Sequence, residues 1–220
     1  MTGPQASYYP QAFEVKDEAE AREIILTPER GTTTGERWEK ETAFLKGDVI
    51  DFLAPDPGSL ILDYGCGIGR MAKVLVESTG CSVIGVDISA SMRRLAPGHV
   101  GSDRFSVLSK TAFERLIAKG LRVDACVALW VLQHCLRVRE DVQLIKSALR
   151  PGGLLYVLNN FSSVVPTNVG WVNDGVEIIP ILDAEFEVVD VGRLPTAFTT
   201  EALANGSFIA KLKKEAGRAA

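Results

Sequence analysis

Three glycines at alternate positions, Gly65, Gly67 and Gly69, stand between an apolar run, Leu60-Ile61-Leu62-Asp63-Tyr64, and an amphipathic stretch that opens at Arg70. Glycine turns sharply and lets another group approach without meeting a Cβ atom. The bend could cradle a ligand, or it could serve only as a tight connection. A second apolar run, Val83-Ile84-Gly85-Val86, ends in Asp87, 22 residues beyond Gly65. A carboxylate at that offset can accept hydrogen bonds from both hydroxyls of a ribose, or it can cap a helix that opens near Ser89. Together the two features point to a ligand that contains adenosine. A dinucleotide bend spaces its glycines as GxGxxG, so that a helix N-terminus receives the pyrophosphate. Here the third glycine comes one residue early and Arg70 holds the expected place. Asp63 precedes the bend, where its charge would repel pyrophosphate and suit an ammonium group, which favours an amino-acid zwitterion.

His134 follows the fourth apolar run, at the edge of an open sheet where ligands bind, and imidazole titrates near neutrality. It is the candidate general base, with a structural contact as the competing reading. His99, beside Pro97 and Gly98, reads as an exposed loop residue. Trp38 belongs to a helix ahead of the first strand, either in the core or closing over the ligand. Tyr8, Tyr9, Asn159, Asn160, Phe161, Trp171 and Asn173 lie where an arm and an insertion could build an acceptor pocket, although loop packing explains them equally. Two isolated histidines and four cysteines without CxxC spacing give no metal-ligand pattern, and a nucleophile elbow is absent.

These residues must be positioned by a βα series. Strands are expected at Leu60–Tyr64, Ser82–Val86, Phe105–Leu108, Val123–Leu129 and Leu154–Leu158. Helices are expected at Met71–Glu77, Ser91–Ala96, Phe113–Ala118 and Val138–Leu149 between them. Strands this short and continuously apolar are expected where helices cover both faces, which predicts an α/β, doubly wound, mainly parallel sheet. Helical patterns near Asp17–Leu26 and Glu36–Phe52 precede the series. A Pro- and Gly-bearing stretch follows Asn159. Then come a strand at Glu185–Val191, a turn and short helix at Leu194–Ala204, and a strand at Ser207–Lys213.

The chain has 220 residues, 46% hydrophobic and 24% charged, in keeping with one folded domain. Its parts read as an N-terminal arm and lid (1–54), a ligand-binding core (55–160) and an acceptor-side insertion with C-terminal strands (161–220). A formal net charge of -4 argues against a nucleic-acid partner. The one basic cluster, Lys211, Lys213, Lys214 and Arg218, reads as a solvated tail. No signal-peptide pattern or bilayer-length apolar run is present, so a cytoplasmic setting without membrane association is expected.

The run Leu62 to Gly69 resembles the first motif of the class I S-adenosylmethionine-dependent methyltransferases, and Gly85 to Met92 resembles the second. Asp124 to His134 is similar to their fourth-strand motif and the turn after it, and Leu149 to Leu155 to their turn into strand five. The resemblance covers about residues 36 to 160. It implies a seven-stranded Rossmann-like sheet with an antiparallel last strand and an N-terminal helical lid. It implies S-adenosyl-L-methionine as cofactor. The bend, with Asp63, Gly65, Cys66, Gly67, Gly69 and Arg70, would hold the methionine part, with Trp38 closing over it. Asp87 would hold the ribose, Ile88 and Met92 the adenine, and Leu129 would stand at the strand-four edge. The family often places an acidic residue near the adenine amino group, but Ser109-Lys110-Thr111-Ala112 offers none, so Ser109 and Lys110 are assigned there. The implied activity is methyl transfer to the oxygen or nitrogen of a small-molecule acceptor by a monomer or homodimer. A nicotinamide-dependent oxidoreductase and a non-catalytic module that binds the cofactor are the alternatives.

Overall fold

The structure is a computed structural model that describes residues 6–29 and 31–216. The start of the N-terminal arm, residues 1–5, and Arg218 of the basic cluster lie outside the described residues.

Strands β1 (Leu60–Tyr64), β2 (Ser82–Val86), β3 (Phe105–Leu108) and β4 (Val123–Leu129) have the limits that the sequence predicts, and β5 runs longer, Leu149–Asn160. β6 (Val165–Thr167) and β7 (Gly170–Val172) form a separate hairpin. β8 (Glu187–Gly192) and β9 (Ser207–Lys213) complete a seven-stranded sheet of order β3-β2-β1-β4-β5-β9-β8. β1 to β5 are parallel, and β9 lies antiparallel between β5 and β8. The order steps outward in both directions from the β1/β4 pair, so the chain reverses direction there and leaves a crevice at the carboxyl ends of those strands.

Side chains alternate along each strand. Leu62, Tyr64, Cys126, Leu155 and Val157 face one side, under helices α5 (Lys110–Ala118), α6 (Val138–Ala148) and α7 (Ile179–Asp183). Ile61, Ala125, Val127, Tyr156 and Leu158 face the other, under α2 (Thr34–Leu53), α3 (Arg70–Thr79) and α4 (Ala90–Val100). Leu45, Val49 and Leu53 recur at helical spacing on α2. Its start is fixed by a capping box in which Thr33 and Glu36 satisfy each other's backbone amides. Asp17 caps the preceding helix α1 (Glu18–Ile25) at the amide of Glu20, and a final short helix, α8 (Glu201–Gly206), leads into β9.

Two expectations are corrected. α4 continues through Pro97 to Val100: the missing N–H removes one helical bond, while Ala96 and Val100 bury fully enough to carry the last turn. His99 therefore lies on a helix, and its Nδ1 sits 3.2 Å from Glu18. The hairpin β6–β7 and helix α7 were not anticipated.

The hairpin does not stand alone. Tyr8 bridges Thr167, the amide of Tyr9 donates to the Pro166 carbonyl at 3.0 Å, and that of Asn168 to the Ser7 carbonyl at 3.0 Å. Arm and insertion thus meet as one flap over the carboxyl edge of the sheet. Leu62 is fully buried directly beneath the glycine bend. Leu62→Ala should lower stability by about 2–5 kcal/mol, read by urea unfolding, whereas a loss under 1 kcal/mol would mean that the bend is not built on packed core.

Candidate functional site

A cavity of about 530 Å³ opens at the carboxyl ends of β1, β2 and β4, the size and place expected of a small-molecule site. Gly65, Gly67, Asp87, Ile88, Met92, Lys110, Leu129 and His134 all line it. The structure therefore brings together, on one surface, the residues that the sequence placed after four different strands.

The bend itself is held by backbone and one carboxylate. The amides of Gly65 and Cys66 both donate to the Val86 carbonyl, at 2.7 and 3.0 Å. Asp87 accepts from the amide of Gly67 at 2.8 Å with one oxygen and from that of Ser89 at 2.8 Å with the other. Asp87 is thus both a cap and a cavity residue. Each of its oxygens keeps a lone pair for further donors, and burial pushes its carboxyl above the ordinary range. Gly65 and Gly67 have φ of +74° and +55°, and a Cβ would stand 2.2 Å from Val131 Cγ2 or 2.6 Å from Ile25 Cδ1. No other residue fits at either position without moving the cavity wall.

The remaining sequence candidates stand behind the wall. Asp63 shares the α3 face of β1, is 4% exposed, and accepts from the amide of Ala72 at 3.1 Å. Burial first, and then the charge of Asp87, push it up to about 7 against the pull of the Ala72 amide and Arg70. It is placed below the bend, not at the cavity surface where an ammonium was expected. Arg70 is buried beside it, and Trp38 is stacked between the guanidiniums of Arg22 and Arg70, with ring distances of 4.7 and 5.6 Å. Gly69 accommodates Val100, Cys66 packs against Gly85, and Ser109 caps α5 at the amide of Ala112. All four cysteines are free thiols.

His134 departs from the base role that the sequence predicts. Its Nδ1 lies 2.7 Å from the Val164 carbonyl, which only accepts, so Nδ1 carries the proton. Its Nε2 lies 3.1 Å from the Gln133 amide nitrogen. That amide's orientation is fixed, because Gln133 Oε1 accepts from the amide of Asn160 at 2.8 Å. Both ring nitrogens are therefore engaged, and burial holds the imidazole below its usual range, neutral at pH 7. The ring packs against Trp171 at 5.0 Å and Phe13 at 5.6 Å. Of the other acceptor-side candidates, Tyr8, Asn160 and Trp171 line the cavity. Asn159 is fully buried, Phe161 packs on Phe208, and Tyr9 and Asn173 are exposed.

Sequence reasoning missed two buried charge clusters. Asp141 of α6 receives Tyr64 Oη and pairs with Lys110 at 2.7 Å on the cavity wall. Arg37 pairs with Glu41 at 2.9 Å, and Trp130 Nε1 donates to the second Glu41 oxygen at 3.2 Å. The i, i+4 spacing of Arg37 and Glu41 was readable, but on an exposed helix it is only a surface pair. Among the described residues no group of three or more His, Cys, Asp or Glu is placed to hold a metal ion, and no helix is long and apolar enough to cross a membrane.

The neutral His134 carries a pH signature. A group whose folded pKa is depressed binds its proton first in the unfolded chain, so stability falls as pH drops below about 6.5. His99, also lowered by burial, acts in the same direction, and the raised Asp63 acts in the opposite one. The comparison with His134→Gln isolates the residue. Wild type should lose stability relative to the variant between pH 8 and pH 5 in urea melts, and a constant gap would contradict the assigned tautomer.

Residues 62–157 match the family model described as a methyltransferase domain. The ubiquinone biosynthesis O-methyltransferase of Methylocella silvestris is 34% identical over 115 residues, which are 51% of this chain and 44% of that protein. N-demethylindolmycin N-methyltransferase of Streptomyces griseus is 29% identical over 118 residues, 52% of this chain and 50% of that one. The chain spans about half the length of the curated relatives it matches. A geranyl diphosphate methyltransferase solved in complex with SAM superposes with a TM-score of 0.61 at 16% identity, covering 79% of this chain and 85% of that one. The PH0226 protein of Pyrococcus horikoshii gives 0.62 at 16% identity over 91% and 100%. Sheet order, glycine bend and matched segment together make residues 62–157 similar to the methyltransferase domain that the family model describes.

Proposed function

We propose that the chain binds S-adenosyl-L-methionine in this cavity and transfers the methyl group to an oxygen or nitrogen of a small-molecule acceptor. The observation that carries the reading is the meeting of the open glycine bend, the Asp87 carboxylate and a chamber of aromatic side chains in one cavity. The bend fits the group: both glycines face the cavity, and Asp87 keeps lone pairs for a vicinal diol. In this reading Asp87 holds the ribose, and Ile88 and Met92 flank the adenine. Lys110 stands at the far wall, with Ser109 fixing the turn beneath it, and Leu129 closes the strand-four side. Gly65 and Gly67 admit the methionine part, while Cys66, Gly69, Arg70, Asp63 and Trp38 support the bend from behind. Residues 1–54 serve as arm and lid, 55–160 as donor-binding core, and 161–220 as the acceptor side.

The bound donor supplies an electrophilic methyl on a sulfonium, so the chain's own task is to hold the acceptor in line. Phe13, Trp171 and His134 offer flat faces for that purpose, and Asn160 and Tyr8 offer polar ends. With Nε2 of His134 accepting from Gln133, the histidine acts as a positioning residue and the acceptor's proton leaves to water at the mouth. The shared relatives support a small acceptor, and the acidic net charge supports a protein that works without nucleic acid. We infer a cytoplasmic monomer or homodimer.

Calorimetry tests the reading. S-adenosylmethionine should bind and NAD should not. Asp87→Asn should weaken the donor about 10- to 100-fold, the worth of a charged hydrogen bond lost at a buried site. NAD binding without donor binding would overturn it. Trp171→Ala should raise the acceptor KM while leaving donor affinity unchanged, and a change in donor affinity alone would remove Trp171 from the acceptor side.

A further inference from the structure

We propose that the acceptor is an uncharged, flat aromatic compound whose nucleophile is an aryl hydroxyl or an aryl amine, a substrate class that rests on the methyltransferase reading above. The flap is built from the arm, residues 6–13, and the insertion, residues 161–173. Neither segment holds an Asp, Glu, Lys or Arg, in a chain of which 24% is charged. The flap gives the cavity Tyr8, Phe13, Val164 and Trp171. His134 beside them is neutral, with both ring nitrogens engaged. Burial pushes the Tyr8 hydroxyl up to about 12, so it too is uncharged at pH 7. A carboxylate, phosphate or ammonium seated against this side would lose its water and gain no countercharge, which is strongly unfavourable.

The charges on the rest of the wall are matched within the protein: Lys110 with Asp141 at 2.7 Å, Arg37 with Glu41 at 2.9 Å, Arg137 with Glu140 at 3.4 Å, and Asp87 with two amides. Glu29 stands where the cavity opens into a second groove beside Ala202 and Gly206, and is half-exposed there. The centroids of Phe13, His134 and Trp171 lie 5.0 to 5.8 Å apart, which is direct ring contact. Rings in contact leave no gap in which an ammonium could sit among their faces. They form a continuous wall on which a flat ring can stack. The polar ends are also uncharged: among the described residues, neither the Asn160 side-chain amide nor the Tyr8 hydroxyl has a hydrogen-bond partner, and both line the cavity. An amide and a hydroxyl each donate and accept, which matches an un-ionised hydroxyl or amine. A phenol titrates near about 10 and is neutral at pH 7, whereas an alkylamine, near about 10.4, is charged; an aryl amine shares its lone pair with the ring and stays neutral. In the transfer, the acceptor's lone pair forms the new bond to carbon, the carbon–sulfur bond breaks with its electron pair passing to sulfur, and the acceptor's proton leaves to water.

The test is calorimetry on protein first saturated with S-adenosylhomocysteine, then titrated with probes of one shape: 2-naphthol, its 6-carboxylate, 2-naphthylmethylamine, which is an ammonium at pH 7, and the saturated decahydro-2-naphthol. Wild type should bind 2-naphthol about 10-fold or more tightly than each of the other three. Trp171 is 52% exposed, so Trp171→Arg can place a cation on the flap without opening the core. That variant should gain affinity for the carboxylate and lose it for 2-naphthol, with S-adenosylhomocysteine binding as in wild type. Asn160→Ala should weaken 2-naphthol several-fold and leave 2-methylnaphthalene, which lacks the hydroxyl, unchanged. An ionised or saturated probe that binds wild type as tightly as 2-naphthol, binding of none of the four, or no gain of the carboxylate in Trp171→Arg would overturn the substrate class alone. Failure of S-adenosylhomocysteine to bind in the first titration would overturn the methyltransferase reading and this inference with it.

Discussion

The structure depends on a backbone segment that must leave a central strand, turn back on itself and remain open to a cavity. Residues 65 to 67 do this with two positive φ angles and no side chain on the cavity side. Such a segment has no ladder of its own, so its amides are satisfied from the neighbouring strand: Val86 takes two, and the Asp87 carboxylate takes the third. Register between β1 and β2 is therefore a functional quantity. A slip of one residue would move Asp87 away from Gly67 and turn every side chain of the strand to the opposite face.

Around that bend the molecule places charge below the surface with each group matched. Asp87 is met by two amides, Asp141 by Lys110 and Tyr64, Glu41 by Arg37 and Trp130, and Asp63 by the Ala72 amide beside Arg70. A buried charge is costly alone and tolerable when paired and hydrogen-bonded. These pairs bring α2, α3, α5 and α6 to fixed positions about the crevice. The flap, by contrast, rests on a few backbone bonds and on Trp171, which is 52% exposed. It joins two segments far apart in sequence.

The parallel core was legible in the sequence because its physics is local. Continuous apolar runs bounded by glycine, aspartate and proline have one reading when they alternate with helical periodicity, and four strand limits agree to the residue. What failed is equally physical. β6 and β7 are three residues each, β6 contains proline, and β7 is wholly exposed, so neither period nor propensity marks them. Their stability comes from the arm, which no local window includes. Glycine, Asp87 and the residues just after it reached the cavity because the backbone direction at the end of a strand places them there. Asp63 and Arg70 stand behind the bend, because spacing tells that a residue is near a bend but not which side of the sheet it faces, and Trp38 takes the packed position that was one of its two readings. The state of His134 depends on Val164 and Gln133, and only the fold brings the first of these to it.

The central claim is that the open side of the bend is where the adenosine ligand's tail lies. Nuclear magnetic resonance of protein labelled with 15N-glycine, titrated with S-adenosylhomocysteine, observes that claim at its own atoms. The account predicts that the Gly65 and Gly67 amides shift strongly while Gly152 and Gly175, remote from the cavity, stay in place. Binding that leaves Gly65 and Gly67 unmoved would contradict it.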